Sequence, residues 1–194
     1  MEERRLIREN ERLDDLQNGY MLIQDPSQFC FGIDAVLLSW FAKVKPGEKV
    51  LDMGTGTGIV PILLKARYPQ GKYIGLEIQE ESADMARRSV AYNHLEKDIA
   101  ITLGDIKEAS GIYGSSVFDV VVSNPPYMIG SHGLTGGNQA KTIARHETCL
   151  LWRIFWNRAQ RCFGPGEDFI WSTDRSVWPR SYLPWFSIRS NLRG

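Results

Sequence analysis

The sequence has few cysteines, and their positions argue against the common structural uses of cysteine. Three occur in 194 residues, at Cys30, Cys149 and Cys162. An odd number at such large separations supports neither a disulfide framework nor a zinc site. We therefore expect no metal site, and we expect these thiols to pack as small apolar side chains.

The sequence also lacks a run of about 18 uncharged apolar residues, which a membrane-spanning helix would need. Residues 1–5 are charged where a secretory signal would be apolar. With 43% apolar and 24% charged residues, the composition is typical of one globular domain with a full core. We expect a cytoplasmic protein without a membrane partner, and a monomer.

A net charge is missing as well, because 23 basic side chains balance 23 acidic ones. Nucleic-acid-binding proteins usually have a basic face, so this balance alone argues against such a partner. The balance is a cancellation, however. Residues 1–149 contain 16 lysines and arginines against 20 acids, whereas residues 150–194 contain seven arginines against three acids. Five of the six tryptophans also lie in that second part, so the two parts differ in composition.

Short apolar strands alternate with helices through the middle of the chain. The predicted strands lie at residues 20–24, 49–52, 71–77, 99–103 and 118–123, and the predicted helices at 33–42, 59–67 and 80–93. This alternation predicts an α/β fold with a doubly wound, mainly parallel sheet covered on both faces. The residues before the first strand resemble a charged helix. Arg4, Arg5, Arg8 and Arg12 are interleaved with glutamates there. This pattern favours a solvated helix face over a contact with RNA phosphate.

The sharpest local signal is Asp52-Met-Gly54-Thr-Gly56-Thr-Gly58, between a predicted strand and a predicted helix. Glycines allow a tight turn and the close approach of a ligand. Their spacing differs from the Gly-x-Gly-x-x-Gly of dinucleotide-binding proteins. With the preceding acid, the turn resembles the cofactor loop of class I S-adenosylmethionine-dependent methyltransferases. That resemblance implies S-adenosyl-L-methionine as cofactor, with Asp52 orienting its amino-acid end.

Acidic residues also follow the next two predicted strands. Glu77 ends one of them, where a carboxylate can accept both hydroxyls of a ribose. Asp105 and Ile106 follow the other, where the resemblance implies an acid at the adenine amino group and an apolar neighbour on its ring. Each feature alone also fits a solvated cap. Together they indicate a ligand crevice, because the three lie at successive strand ends.

The last predicted strand runs directly into Asn124, Pro125, Pro126 and Tyr127. Two prolines fix the backbone and remove two amide donors, so this loop offers hydrogen-bond acceptors in a rigid arrangement. An adenine amino group needs acceptors because its lone pair is delocalised into the ring. The Asn124 side-chain oxygen and the Pro125 carbonyl can accept its hydrogens while Tyr127 stacks on the base. We expect these four residues to be catalytic, with Asn124 also bordering the cofactor.

Coming after the glycine turn, Asn-Pro-Pro-Tyr resembles the signature of methyltransferases that act on planar nitrogens. Their acceptors are the amino groups of adenine or guanine and the glutamine amide of release factors. A proline-stiffened turn without a catalytic role is the alternative interpretation. The tetrapeptide therefore indicates the class of chemistry and leaves the acceptor open. A catalytically inactive module that binds the cofactor, and possibly RNA, is a further alternative.

Four more sequence segments point to a more specific family, and they lie at residues 11–16, 29–38, 76–81 and 144–147. Together they resemble the bacterial enzymes that methylate the exocyclic nitrogen of the adenine beside the anticodon of a valine tRNA. This resemblance spans roughly residues 10–148 and implies a tRNA substrate. It also places Phe31 and Asp34 near the cofactor, although a helix start with a capping acid explains both residues nearly as well.

Residues 149–194 do not fit this resemblance, which implies an amphipathic helix, a Pro-Gly-Gly turn and further strands. If the reading frame slipped near residue 148 or 149, the shifted codons of residues 151–181 can encode that helix, turn and first strand. Three shifted codons are fixed by the genetic code. They give leucine from Phe155/Trp156, glutamate from Trp156/Asn157 and alanine from Trp178/Pro179. A genuinely divergent tail is the alternative.

We therefore expect three segments. Residues 1–45 form an N-terminal helical and strand lead-in, residues 46–148 the cofactor-binding catalytic core, and residues 149–194 an aberrant, out-of-frame tail. With such a tail, the last strands of the sheet would be missing or aberrant, and residues 120–123 would lie at or near an unpaired edge. We expect such a chain to keep its cofactor-site residues and to have impaired activity.

Overall fold

The computed structural model describes residues 6–28, 30–114 and 116–124, and the backbone of residues 168–171 and 187–189. The strands in these ranges are β1 Arg12–Asp15, β2 Met21–Gln24, β3 Lys49–Met53, β4 Lys72–Glu77, β5 Ile99–Leu103, β6 Val120–Ser123, β7 Asp168–Trp171 and β8 Ser187–Arg189. The helices are α1 Ile33–Phe41, α2 Ile59–Arg67, α3 Glu80–Tyr92 and α4 Ala109–Tyr113. None of these helices is long and apolar enough to cross a membrane.

Six strands form one sheet in the order β5-β4-β3-β6-β7-β8. The first five are parallel, and β8 is antiparallel to β7. Successive residues of β3 face opposite sides of the sheet. Val50 packs in a cluster with residues of α1 and α2, and Leu51 packs in another with Ala109 of α4. The predicted α/β fold with a mainly parallel, doubly wound sheet is confirmed.

The strand order reverses at β3. From there the chain adds β4 and β5 on one side, and then returns to place β6 on the other side of β3. In such sheets, ligands bind outside the carboxyl ends of the strands at this reversal point. The glycine turn follows β3 and Asn124 follows β6, so both lie at the expected ligand crevice.

Two strands lie in the tail, for which we expected missing or aberrant strands. β7 pairs in parallel with β6, and β8 pairs antiparallel to β7. Because β7 and β8 continue the sheet beyond β6, the prediction that residues 120–123 lie at or near an unpaired edge is wrong. Strand pairing uses backbone groups, and residues 169–171 are Phe, Ile and Trp, types that are common in strands. A short tail segment of this composition is therefore sufficient to pair with β6.

A β-hairpin replaces the predicted N-terminal helix. β1 pairs antiparallel to β2, and the connection contains Gly19 with a φ of 91°. Arg8 pairs with Asp84 of α3 at 2.8 Å, and Arg12 pairs with Asp14 at 2.9 Å. The predicted helix is therefore wrong, whereas the side chains of Arg8 and Arg12 are exposed as expected. Alternating charges fit a strand as well as a helix, and the hairpin lets these acids and bases meet.

Candidate active site

The glycine turn after β3 is built from three residues with left-handed backbone angles. Gly54, Gly56 and Gly58 have φ values of 76°, 56° and 85°, where a side chain strains the backbone. A Cβ atom at Gly56 would have no neighbour within 4 Å among the described residues, whereas one at Gly58 would lie 3.2 Å from the Cβ of Ala86. Space for a ligand therefore lies beside Gly56, and Gly58 lets α2 approach α3 closely.

Asp52 lies at the end of β3 and is only 2% exposed. Neither of its carboxylate oxygens has a hydrogen-bond partner within the described part of the chain. Burial raises its pKa to about 7, although the nearby Thr55 hydroxyl lowers it and the Glu77 carboxylate raises it further. A buried acid without a partner destabilises a fold. Asp52 is therefore suited to a ligand that brings hydrogen-bond donors or positive charge into the crevice.

Glu77 ends β4 beside the glycine turn and is 6% exposed. One carboxylate oxygen accepts the backbone N–H of Gly56 at 2.8 Å, and the other accepts those of Ile78 and Gln79 at 2.9 Å. We expected this carboxylate to accept ribose hydroxyls. In the structure this carboxylate also holds the glycine turn in place, through its bond to the Gly56 N–H. Each carboxylate oxygen can accept more than one hydrogen bond, so the two roles are compatible.

Asp105 and Ile106 lie after β5, at the next strand end along the sheet. Asp105 caps a short 3₁₀ turn by accepting the backbone N–H of Lys107 at 2.8 Å. Ile106 is half-buried, and its Cδ1 atom lies 4.0 Å from where a Cβ atom of Gly54 would be. An acid and an apolar side chain thus follow β5 as expected, and Ile106 borders the glycine turn.

Asn124 follows β6 directly, and its Nδ2 atom donates a hydrogen bond to the carboxylate of Asp34 in α1. The preceding residue, Ser123, is buried and donates its hydroxyl to the carbonyl of Met53 at 2.8 Å. This bond joins the end of β6 to the end of β3. The structure therefore brings Asp34 and Asn124 together, which the sequence did not predict.

Phe31 is half-buried and packs against the core cluster that contains α1 and α2. Its backbone N–H donates to the Gln24 side chain at 3.2 Å, so its observed contacts are with the core and β2. Pro125, Pro126 and Tyr127 lie outside the described residues.

Three residues near the site were not predicted from the sequence. Thr55 places its hydroxyl beside Asp52, and Gly75 in β4 makes room for it, since a Cβ atom there would lie 2.7 Å from the Thr55 methyl carbon. Gly32 precedes α1 and leaves space for the Asp34 carboxylate. A glycine inside an otherwise apolar strand, as at Gly75, is a usable sequence signal of close approach. No comparable signal marks Gly32.

The family model described as the methyltransferase small domain matches residues 27–146 of the chain. The chain belongs to the methyltransferase small domain family. The match includes the glycine turn, the acids after β4 and β5, and the Asn-Pro-Pro-Tyr segment.

Curated relatives of this family member are named tRNA1(Val) (adenine(37)-N6)-methyltransferase. The protein from Porphyromonas gingivalis is 36% identical over 140 residues, which cover 69% of this chain and 54% of the relative. That from Bacteroides thetaiotaomicron is 37% identical over 123 residues, which cover 62% of this chain and 49% of the relative. The chain thus spans about half the length of the curated relatives it matches.

Solved structures show the same fold at lower identity. TrmN from Thermus thermophilus aligns with a TM-score of 0.51 and 20% identity, covering 71% of this chain and 36% of that one. An Agrobacterium tumefaciens protein titled as a predicted O-methyltransferase aligns with a TM-score of 0.54 and 19% identity, covering 71% and 60%. The methyltransferase small domain of this chain therefore has the class I, Rossmann-like methyltransferase fold.

Proposed function

We propose that this chain transfers a methyl group from S-adenosyl-L-methionine to the exocyclic nitrogen of adenine 37 in a valine tRNA. The observation that carries the proposal is the arrangement at the strand reversal. Asp52, buried without a hydrogen-bond partner in the described residues, lies beside the glycine turn, and Asn124 lies at the adjoining strand end. The names of the curated relatives support this acceptor over guanine and over a glutamine amide.

The described residues fit this cofactor. Because Gly54 and Gly56 have no side chains, the cofactor could approach the backbone of the turn closely. Asp52 offers a buried carboxylate to the amino-acid end of the cofactor. Glu77 would accept its ribose hydroxyls, while Asp105 and Ile106 would border its adenine. When bound, the cofactor supplies an electrophilic methyl carbon, whose bond to sulfur breaks, with the electron pair left on sulfur, as the acceptor nitrogen bonds to it.

The residues after β6 would prepare the acceptor nitrogen. Asn124 Oδ1 and the Pro125 carbonyl would each accept a hydrogen bond from the adenine amino group. These bonds would return electron density to the amino nitrogen. Tyr127 would stack on the adenine once that base has left its own stack, a contact of about 1–3 kcal/mol. The proton that leaves the methylated nitrogen can pass to water. The rate then depends mainly on positioning, and no strong general base is required.

Tritium transfer from labelled cofactor to an unmodified valine tRNA transcript tests this proposal. The matched control is the same transcript with guanine at position 37. Transfer to the first transcript alone supports the adenine acceptor, and transfer to both contradicts it. Label on a release factor would indicate the glutamine-amide enzyme. Cofactor binding by calorimetry without transfer to any acceptor would indicate an inactive binding module.

We further propose that residues 149–194 are encoded out of frame and that this tail impairs activity. The family match ends at residue 146, close to the proposed slip. Sequencing the coding DNA tests the idea. A second frame that reads as a helix, a Pro-Gly-Gly turn and a strand supports it, and any other reading contradicts it.

We also propose a cytoplasmic monomer. Light scattering of the purified chain should then give a mass near 22.0 kDa. A stable mass of twice that value would contradict the monomer.

A further inference from the structure

We propose that Asp34 is a positioning residue that fixes the side-chain amide of Asn124 so that its oxygen faces the acceptor amino group. This inference rests on the proposed function, because it assigns a task to Asp34 in that reaction. It starts from one contact: the Asn124 Nδ2 atom donates to the Asp34 carboxylate, although 90 residues separate the two in the chain. The resemblance implied only that Asp34 lies near the cofactor.

An asparagine amide can be turned in two ways that place its nitrogen and oxygen in exchanged positions. Ionised carboxylates only accept hydrogen bonds, so an amide that faces Asp34 must present Nδ2 to it. The Oδ1 atom then lies at the other end of the planar group. In the opposite orientation Asn124 would present N–H groups to the amino hydrogens of the substrate, and two donors cannot pair. Asp34 thus selects the productive orientation.

The structure also holds Asp34 in place. It lies in the first turn of α1, where the helix dipole favours a negative charge. Gly32 precedes that turn, and a Cβ atom there would lie 2.3 Å from the Asp34 Oδ1 atom. Any other residue at position 32 would therefore displace the carboxylate. On the other side, Ser123 anchors the backbone just before Asn124 to Met53.

The first test compares Asp34→Leu with Asp34→Asn in single-turnover methyl transfer to the valine tRNA. Leucine removes the acceptor, whereas asparagine keeps an oxygen that can accept from Asn124. We expect Asp34→Leu to lower the rate about tenfold to a hundredfold, the range for losing a hydrogen bond to a charged group. Asp34→Asn should recover only part of that rate, because its amide oxygen can accept from Asn124 Nδ2 but its NH₂ group also allows the opposite orientation. The dissociation constant of the cofactor should stay within about threefold in both variants.

Asp119→Asn is the matched control, because Asp119 also links distant segments. Its carboxylate accepts the backbone N–H of Lys49 at 2.8 Å, but at the opposite end of β3. This variant should transfer methyl groups at the wild-type rate. A rate loss in Asp34→Leu equal to that in Asp34→Asn would overturn the inference. So would weaker cofactor binding at an unchanged rate, which would make Asp34 a cofactor ligand.

The second test does not depend on activity. The side-chain NH₂ signals of Asn124, assigned by their loss in Asn124→Ala, should shift and exchange faster in Asp34→Leu. Gly32→Ala should produce the same change with Asp34 still present. Signals that do not respond to either variant overturn the inference. If they respond but the wild-type chain transfers no methyl group, the positioning contact is supported and the proposed function fails instead.

Discussion

The carboxylate of Glu77 accepts the backbone N–H of Gly56 at 2.8 Å, across 21 residues of chain. Glu77 ends β4, whereas Gly56 belongs to the turn after β3, so one side chain joins two neighbouring strand ends. Its other oxygen accepts two N–H groups that lead into α3. The glycine turn is therefore held in place by the residue that would also receive the ribose of the cofactor.

Glu77→Gln should disturb both tasks. The amide has one oxygen and one NH₂ group, so at least one of the backbone N–H groups that Glu77 now binds would face another donor. We expect the free energy of unfolding to fall by about 1–3 kcal/mol and the cofactor affinity to fall about tenfold. Thermal denaturation and calorimetry measure the two effects. Glu80→Gln, an exposed change with the same loss of charge, should affect neither by more than about 0.5 kcal/mol.

Asp52 predicts a particular pH dependence of stability. Its pKa is raised by burial from 3.8 to about 7, so between these values the folded chain holds a proton that the unfolded chain has released. The cofactor-free protein should therefore lose stability as the pH rises from 4 towards 7. Asp52→Asn removes the ionisable carboxyl group and with it this loss of stability. Melting curves should show little difference between the variant and the wild type at pH 4 and a more stable variant at pH 8. A constant difference at every pH would contradict the raised pKa.

The glycines of the turn should separate binding from stability. Gly56→Ala places a methyl group in open space, so it should weaken cofactor binding more than it lowers the melting temperature. Gly58→Ala should mainly lower the melting temperature, because its methyl group meets Ala86 at 3.2 Å. Gly47→Ala is the control for backbone strain, since Gly47 has a φ of 84° and equally open surroundings outside the site. Equal losses of cofactor affinity in all three variants would contradict the proposal that the glycine turn holds the cofactor.

Arg88 should be needed for stability and not for binding the cofactor. It donates to both carboxylate oxygens of Glu11 at 2.6 Å, and that side chain is only 3% exposed. Arg88→Leu removes the ion pair and leaves Glu11 only the backbone N–H of Arg8, so it should cost about 3 kcal/mol at pH 7. Arg87→Leu, an exposed change in the same helix, is the matched control and should cost about 0.5 kcal/mol or less.

The Arg88 effect should also depend on pH. Burial alone would raise the pKa of Glu11, but the hydrogen bonds from the Arg88 side chain and the Arg8 backbone hold it below 4.5. The ion pair therefore stabilises the fold above that value and loses its effect as the pH falls through the lowered pKa. The difference between Arg88→Leu and the wild type should shrink in acid. An undiminished difference would show that Arg88 acts through packing alone.

Regular patterns made the sheet and the crevice at its strand ends predictable. The apolar strands and the helices between residues 33 and 123 follow one another at the lengths of a parallel sheet, and the acids stand at their ends. The N-terminal hairpin was missed although Asn18-Gly19, a strong hairpin signal, separates its strands. The charged residues of β1 are equally typical of a solvated helix, so the sequence around them did not indicate a strand.

Contacts between distant segments could not be predicted in this way. Asp34 and Asn124 meet only because the first turn of α1 lies beside the end of β6, and no local sequence pattern predicts that. The hydrogen bond from Gly56 to Glu77 likewise depends on the backbone of a neighbouring turn. β7 was missed because its pairing with β6 uses backbone groups, which any short extended segment can supply.

We propose that this active site transfers a methyl group to adenine 37 of a valine tRNA. The most direct measurement is tritium transfer from labelled S-adenosyl-L-methionine to that transcript, by this chain and by a version with its reading frame restored after residue 148. We predict transfer that needs both adenine 37 and Asn124 and that is faster with the restored chain. No transfer by either chain, or equal transfer when position 37 is guanine, would contradict it.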